Sequence, residues 1–335
     1  MGFKIKLEKV LKWNLLFNLV FFVFYSTYGI DFQKVDAYSR AVSKSNDYKV
    51  MAKNLTTPFK TQQEKVRAIF IWITDNISYD FDKYFIDKAN GGYTRIYGTS
   101  MKEIEIKRQK LKQEKILKTY QTGKGVCEDY SFLFEAMCQS VSIEAKTIVG
   151  FARFNPADIG RMSKNINHAW NSVKIDGKWY LLDATWAAGT TDFRTGIFTK
   201  KFQEGFYLTD PEIFILNHFP EESKFQYLDK PLSFESFSNY PFIHDGYYDY
   251  EALSFSPYNA FINSLQNIYE IRIEFENKVP DIIVMENENP IKYESQTINN
   301  SITLKISGHR KPNNNIIIGV KNGKYFDPII EYKLR

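Results

Sequence analysis

A thiol, an imidazole and a carboxylate occur in the order Cys127, His168, Asp183, each inside a distinctive run. The runs are G-K-G-V-C-E-D-Y (Gly123 to Tyr130), N-H-A-W-N-S-V (Asn167 to Val173) and D-G-K-W-Y-L-L-D-A-T-W (Asp176 to Trp186). Side chains of these types are the three parts that covalent acyl transfer uses as nucleophile, base and orienter, if they meet in space. Taken singly, each has an ordinary reading: a buried small hydrophobe, a satisfied core histidine, a turn cap. Brought together, they make a cysteine site that hydrolyses or cross-links. A zinc site is the other chemistry of such a set, but the paired C-x-x-C or H-x-x-x-H spacing is missing.

Two local features predict the meeting. Asp176-Gly177 between β-rich apolar runs predicts a two-residue type I′ turn. That turn pairs Ile175 with Lys178. Counting back sets Trp170 opposite Asp183 and His168 opposite Thr185. His168 and Asp183 then share a face as diagonal neighbours, with Cβ atoms about 7 Å apart. Val173, Ile175, Tyr180, Leu182 and Ala184 fall on the other face as core, and a one-residue slip would undo both. Cys127 is expected where a helix begins. Val126, Tyr130, Leu133, Phe134, Met137 and Val141 keep helical spacing after Gly123 and Gly125. A helix N-terminus favours thiolate, whereas Glu128 and Asp129 oppose it. The Cys127 N–H is a natural oxyanion donor; Tyr120 and Gln121 are weak candidates for a second. Cys138, eleven positions on, would lie about 16 Å away on nearly the same face, too far for a disulfide. It reads as core, leaving Cys127 free.

Other elements frame these. Residues 30–58 have some helical character. Thr61 and Glu64 form a capping box before the stripe Val66, Ile69, Phe70, Ile73, Ile77. Asp80 to Ser100 reads as loop. Lys102 to Lys118 reads as a solvated lysine-rich helix, anchored by Ile104, Leu111 and Ile116, with a basic substrate-attracting rim as the sharper account. Strands are expected around Lys146 to Phe154, His168 to Ile175 and Lys178 to Trp186. Arg153 to Asn167 is expected to be a mobile loop that gates the cleft. Beyond Pro231, strand-like runs at Ile268 to Phe275, Asp281 to Met285, Ser301 to Ile306, Asn315 to Val320 and Ile329 to Leu334 predict a small β-sandwich, immunoglobulin-like in spacing. His309 with Arg310 and Lys311 reads as an exposed turn.

The first residues read as an address. Lys4, Lys6, Lys9 and Lys12 precede the apolar run Trp13 to Tyr25, and Ser26-Thr27-Tyr28-Gly29 supplies small residues near a cleavage point. This is the pattern of a signal peptide (residues 1–29), too short for a comfortable span. Its alternative is an uncleaved anchor, which would be the sole route to a membrane. Export, to a secreted, periplasmic or cell-surface location, also suits a chain with only 2 cysteines. The leader carries +3 of the net charge of +5. The remainder, about +2, makes no electrostatic case for nucleic acid. Aromatic residues, at 16%, suit peptide or glycan surfaces, though most are expected in the core.

At these motifs the chain resembles the transglutaminase-like (papain-like) superfamily, and within it the branch of the kyphoscoliosis peptidase, the fungal cytokinesis protein and secreted bacterial members. The shared pattern is G-V-C-x-x-Y, H-A-W-N-x-V and D-G-K-W-Y-L-x-D-A-T-W. Ala68 to Asp80 and Phe206 to Pro220 match as flanks, so the resemblance spans about residues 60–225. It implies Cys127 as nucleophile, His168 as base and Asp183 as orienter. Many relatives have glycine where this chain has Asp129. Hydrolysis, amide transfer and deamidation all occur on the scaffold, and some members have lost activity. The expectation is an α+β chain: a transglutaminase-like catalytic domain over 30–230, with the Cys helix packed on an antiparallel sheet bearing His and Asp, and a β-sandwich accessory domain over 231–335. It is expected to hydrolyse peptide or amide bonds without a cofactor, acting on a protein, a peptide or a wall polymer. The alternatives are a cross-linking transglutaminase and an inactive binding scaffold.

Overall fold

The structure is a computed structural model that describes residues 32–89, 96–192, 194–265, 268–308 and 311–335. The leader, and His309 with Arg310, lie outside the described residues. Among those described, no helix is long and apolar enough to cross a membrane.

Helices fill the first part: α1 Gln33–Ala41, α2 Tyr48–Thr56, α3 Gln62–Asn76, α4 Phe81–Ala89, α5 Met101–Thr122 and α6 Cys127–Ser140. The segment before residue 58 is thus two helices, and Val35, Met51 and Leu55 sink into the core. The expected capping box starts α3: the Glu64 N–H donates to Thr61 Oγ1 and the Thr61 N–H donates to Glu64 Oε2. Its stripe Val66, Ile69, Phe70, Ile73, Ile77 is fully buried. Arg67, on the same helix, is buried too. Its guanidinium donates to both Asp36 carboxylate oxygens at 2.8 Å and to Glu204, tying α1 to a distant loop. The span from Asp80 to Ser100 is not all loop. Asp80 accepts from the Lys83 N–H, and α4 forms with no buried residue; its apolar stripe Phe81, Tyr84, Phe85 spans little more than one turn, too short to reveal a helix by spacing.

Two short strands, β1 Ser78–Tyr79 and β2 Lys124–Gly125, pair in parallel, with Tyr79 beside Gly125. The main sheet contains β3 Ala145–Ala152, β4 His168–Ile175, β5 Lys178–Leu182 and β8 His218–Pro220 in the order β5-β4-β3-β8, all antiparallel. Between β5 and β8 lies the hairpin β6 Gly189–Asp192 and β7 Ile197–Lys200. Ile175 pairs with Lys178, and Asp176 and Gly177 take φ of 48° and 86°, as a type I′ turn requires. The register does not run as far as expected. β5 ends at Leu182, opposite Asn171. The Asp183 carboxylate then accepts the Thr185 and Trp186 N–H groups and starts a short helix, Ala184–Ala188. So the pairs Trp170–Asp183 and His168–Thr185 do not form, and His168 lies opposite Gly150 on β3 instead.

Arg153 to Asn167 is more anchored than expected. Arg153 is buried and donates to the carbonyls of Phe237, Ser238, Tyr240 and Pro241 at 2.6–3.0 Å. Asn167 closes the other end, donating to and accepting from the Ala152 backbone. Carbonyls from a later turn take the two terminal nitrogens of this buried guanidinium, while Nε is buried without a partner.

The C-terminal region is all-β in its core. β10 Ala252–Ser256, β12 Ile268–Phe275, β16 Ser301–Ser307 and β15 Glu294–Ile298 form one sheet in the order β10-β12-β16-β15. The second contains β11 Phe261–Ile262, β13 Ile282–Glu286, β14 Asn289–Pro290, β17 Asn315–Asn322 and β18 Tyr325–Leu334, with β9 Phe242–Ile243 also on β18. Alternate residues such as Ile271, Ile273, Val284, Leu304, Ile318 and Ile330 share one core between the sheets. The strand-like runs beyond Pro231 are therefore strands. β9, β10, β11, β14 and β15 went unforeseen; β15 is exposed throughout and shows no apolar alternation.

Candidate active site

Cys127 is the first residue of α6, as its spacing predicted, and is half-buried. At that position its backbone N–H has no intrahelical acceptor. Helix α6 begins there because Asp129 reaches back: its Oδ2 accepts the Val126 N–H at 2.9 Å. The acidic pair that opposed a thiolate is answered by two lysines. Lys115 from α5 pairs with Glu128, and Lys83 from α4 lies 3.3 Å from Asp129. Burial still pushes the Asp129 carboxyl up, with Lys83 pulling the other way. Cys138 is buried and free, and burial pushes its thiol far up.

His168 and Asp183 meet. The His168 Nε2 lies 2.6 Å from Asp183 Oδ2, both side chains almost without solvent contact. The geometry is a strand residue against a helix cap, rather than the diagonal strand pair that the extended hairpin implied. With Nε2 committed to Asp183, Nδ1 is the nitrogen left for Cys127, which lies near enough to favour charge on the ring. Burial opposes charge on His168, but the Asp183 carboxylate and Cys127 outweigh it and raise the imidazole to about 10. For Asp183, burial is likewise outweighed, by His168 and a second histidine, which hold the carboxyl far below its ordinary range. The imidazolium state of His168 is what a thiolate partner needs.

The second histidine, His218, carried no assigned role in the sequence. Its Nε2 lies 3.1 Å from the same Asp183 Oδ2. β3 sets the two rings: Gly150 lies opposite His168 on one flank and Ala152 opposite His218 on the other. A Cβ on Gly150 would stand 2.2 Å from the Phe219 carbonyl and 2.6 Å from the Trp170 ring. Phe154, half exposed, packs edge-on to His168 with ring centroids 5.8 Å apart, and to Trp186. Tyr79 is the remaining neighbour that sequence missed. Burial raises its phenol, with Cys127 the next contributor. Of the candidates for a second oxyanion donor, Tyr120 is buried and donates to the Ser45 carbonyl, and Gln121 has an exposed side chain.

His168, Asp183 and His218 place their ligand-type atoms within 4.8 Å of one another. The donor set is wrong for zinc as it stands. Two ligands of a tetrahedral zinc are about 3.4 Å apart, given bonds near 2.1 Å. The 2.6 Å between His168 and Asp183 is a charge-assisted hydrogen bond.

A helix-borne cysteine beside a β-sheet histidine held by a carboxylate defines the papain-like class of α+β fold. Within that class, the family model described as the transglutaminase-like superfamily matches residues 87–184, so the chain carries a domain of that superfamily. The human kyphoscoliosis peptidase is 31% identical over 244 residues, covering 72% of this chain and 34% of that protein. Cytokinesis protein 3 of Schizosaccharomyces pombe is 25% identical over 228 residues, covering 68% and 23%. The chain thus spans about a third of the length of the first of these relatives, or less. A crystal structure of a putative cysteine protease from Cytophaga hutchinsonii aligns at 21% identity over 46% of this chain and 42% of that one, with a TM-score of 0.26, too slight a likeness to build on.

Proposed function

We propose that the protein is an exported cysteine acyl-transfer enzyme that hydrolyses peptide or amide bonds. The observation that carries the reading is the buried His168 ring, held at 2.6 Å by Asp183, with Cys127 at the start of α6 near enough to favour charge on it. The Cys127 sulfur attacks the amide carbonyl carbon, and the Cys127 N–H steadies the oxyanion. The tetrahedral adduct collapses, the C–N bond breaks, and His168 gives its proton to the departing amine. A thioester remains. Water, losing a proton to His168, attacks the thioester and releases the acid and the thiol. Cys127 is half-buried at a rim where Phe154 is half exposed, and water that reaches such a site favours hydrolysis over transfer to an amine.

Iodoacetamide at pH 6 tests the machinery. One thiol is expected to react, and none in Cys127→Ala. If both cysteines of the folded protein resist, the enzyme reading fails and the non-catalytic binding alternative is favoured. Peptide libraries with and without an added primary amine then separate hydrolase from cross-linker. N-terminal sequencing of the exported fraction tests the leader, with cleavage near Gly29 expected.

A further inference from the structure

Asp183 is the acceptor for four hydrogen bonds. Oδ1 takes the Thr185 and Trp186 N–H groups at 2.8 and 3.1 Å, and Oδ2 takes the Nε2 atoms of both histidines. The two imidazoles are 5.4 Å apart between centroids. Two buried imidazolium ions at that separation repel strongly, and one carboxylate compensates one of them.

The surroundings decide which ring carries the charge. His168 is near enough to Cys127 to be influenced by it and packs edge-on against the partly exposed Phe154. The His218 side chain has no solvent contact and sits in an aromatic cage. Phe214 stacks on it at 4.2 Å, and Trp186, Trp170 and Phe206 surround it at 4.5, 5.2 and 6.1 Å. The ionisable groups facing this pocket are Asp183 and His168, with the phenols of Tyr130 and Tyr248 beyond, both pushed up by burial and so uncharged. Among the described residues no second carboxylate acts on this ring; the Phe214 backbone and the aromatic faces favour a cation there, and burial outweighs them.

We infer that His218 is a positioning residue that stays neutral and donates Nε2–H to Asp183 Oδ2, fixing the carboxylate on His168 and leaving the site a single imidazolium. The inference rests on the acyl-transfer reading for its purpose, though not for its test. Burial lowers His218 to about 4, consistent with the cage. A second donor on the shared oxygen also stops the Asp183 carboxylate turning about its bond to Cβ, which keeps Nδ1 of His168 aimed at the sulfur. The register explains why both rings fit. They rise from strands on either side of β3, and the residues between them are Gly150 and Ala152.

Two measurements test this. In His218→Leu, which fills the cage without a donor, the iodoacetamide rate at pH 6 should fall about tenfold or more, the worth of one hydrogen bond to a charged group. In His218→Gln, whose amide nitrogen reaches the Nε2 position, it should return to within about twofold of wild type, by the same estimate. An unchanged rate and pH profile in a folded His218→Leu overturns the inference. Should that variant not fold, nitrogen-15 NMR of imidazole-labelled wild-type protein decides, with His218→Gln assigning the signals. His218 is expected as the neutral Nε2–H tautomer from pH 5 to 9, and titration inside that range overturns the inference. An unreactive Cys127 in wild type would defeat the acyl-transfer reading, while the NMR result would still decide the state of His218.

Discussion

Asp183→Asn is the most informative single substitution, because it removes one charge and almost no volume. Its amide oxygen can still accept the Thr185 and Trp186 N–H groups, now taken at 2.8 and 3.1 Å, so the short helix keeps its cap. The other half becomes an NH2 facing two imidazole nitrogens that now reach an oxygen. His168 loses the partner that holds it at about 10. Against its ordinary value of about 6.5, that is on the order of 5 kcal/mol in favour of the imidazolium. With the carboxylate gone, burial opposes charge on the ring, Cys127 favours it without Asp183, and the ring is expected to be neutral at pH 6. A thiol without an imidazolium beside it loses the charge partner that favours its nucleophilic thiolate form. The assay is the pseudo-first-order rate of iodoacetamide alkylation at pH 6, with Cys127→Ala as background and a circular dichroism melt as control. The variant should react about 100-fold more slowly than wild type, and its rate should climb steeply toward pH 9. A folded Asp183→Asn that alkylates at the wild-type rate at pH 6 would refute the reasoning, because the pair would then not be what activates the sulfur.

Three further outcomes are expected. Stability should peak near neutral pH, with each flank set by a different group. The Asp183 charge contributes fully above its ordinary pKa, about 3.8, and is lost as pH falls through its depressed folded value. The His168 contribution is complete below about 6.5 and disappears as pH rises through about 10. His218, lowered to about 4, acts oppositely: its contribution holds above pH 6.5 and drains as pH falls, costing about 3 kcal/mol. Urea melts from pH 4 to 10 check this, and His218→Gln should flatten the limb between pH 6.5 and 4. Secondly, Lys83→Ala with Lys115→Ala leaves Asp129 and Glu128 unanswered beside the thiol. Alkylation at pH 6 should slow several-fold, and salt should restore part of the loss; a rate indifferent to both lysines would show that the acidic pair does not reach the sulfur. Finally, Gly150→Ala forces a Cβ to 2.2 Å from the Phe219 carbonyl and should lower unfolding free energy by about 2 kcal/mol or more. An unchanged urea midpoint would contradict the close approach of β3 and β8.

How far each feature was legible follows from the range of the force that makes it. The Cys127 helix start, the α3 capping box and the turn at Asp176-Gly177 depend on residues a few positions apart, and sequence determined them. So did the alternating strands of the C-terminal sandwich that face its core, such as Ile268–Phe275. The end of β5 was misread because two local preferences compete at Asp183. A strand register continues there only if the carboxylate leaves the Thr185 and Trp186 N–H groups alone, and it does not. Helix α4 was missed because its apolar stripe spans little more than one turn, and Arg153 because its four carbonyl partners lie 84–88 positions away. Only tertiary structure could bring His218 to Asp183. No spacing in the chain encodes that β8 adds to β3 with Ala152 opposite His218. Sequence by itself therefore named the thiol, the ring and the carboxylate. Which ring is held charged, which stays neutral, and what answers Glu128 and Asp129 were decided by packing across elements, because burial and charge pairing act through space.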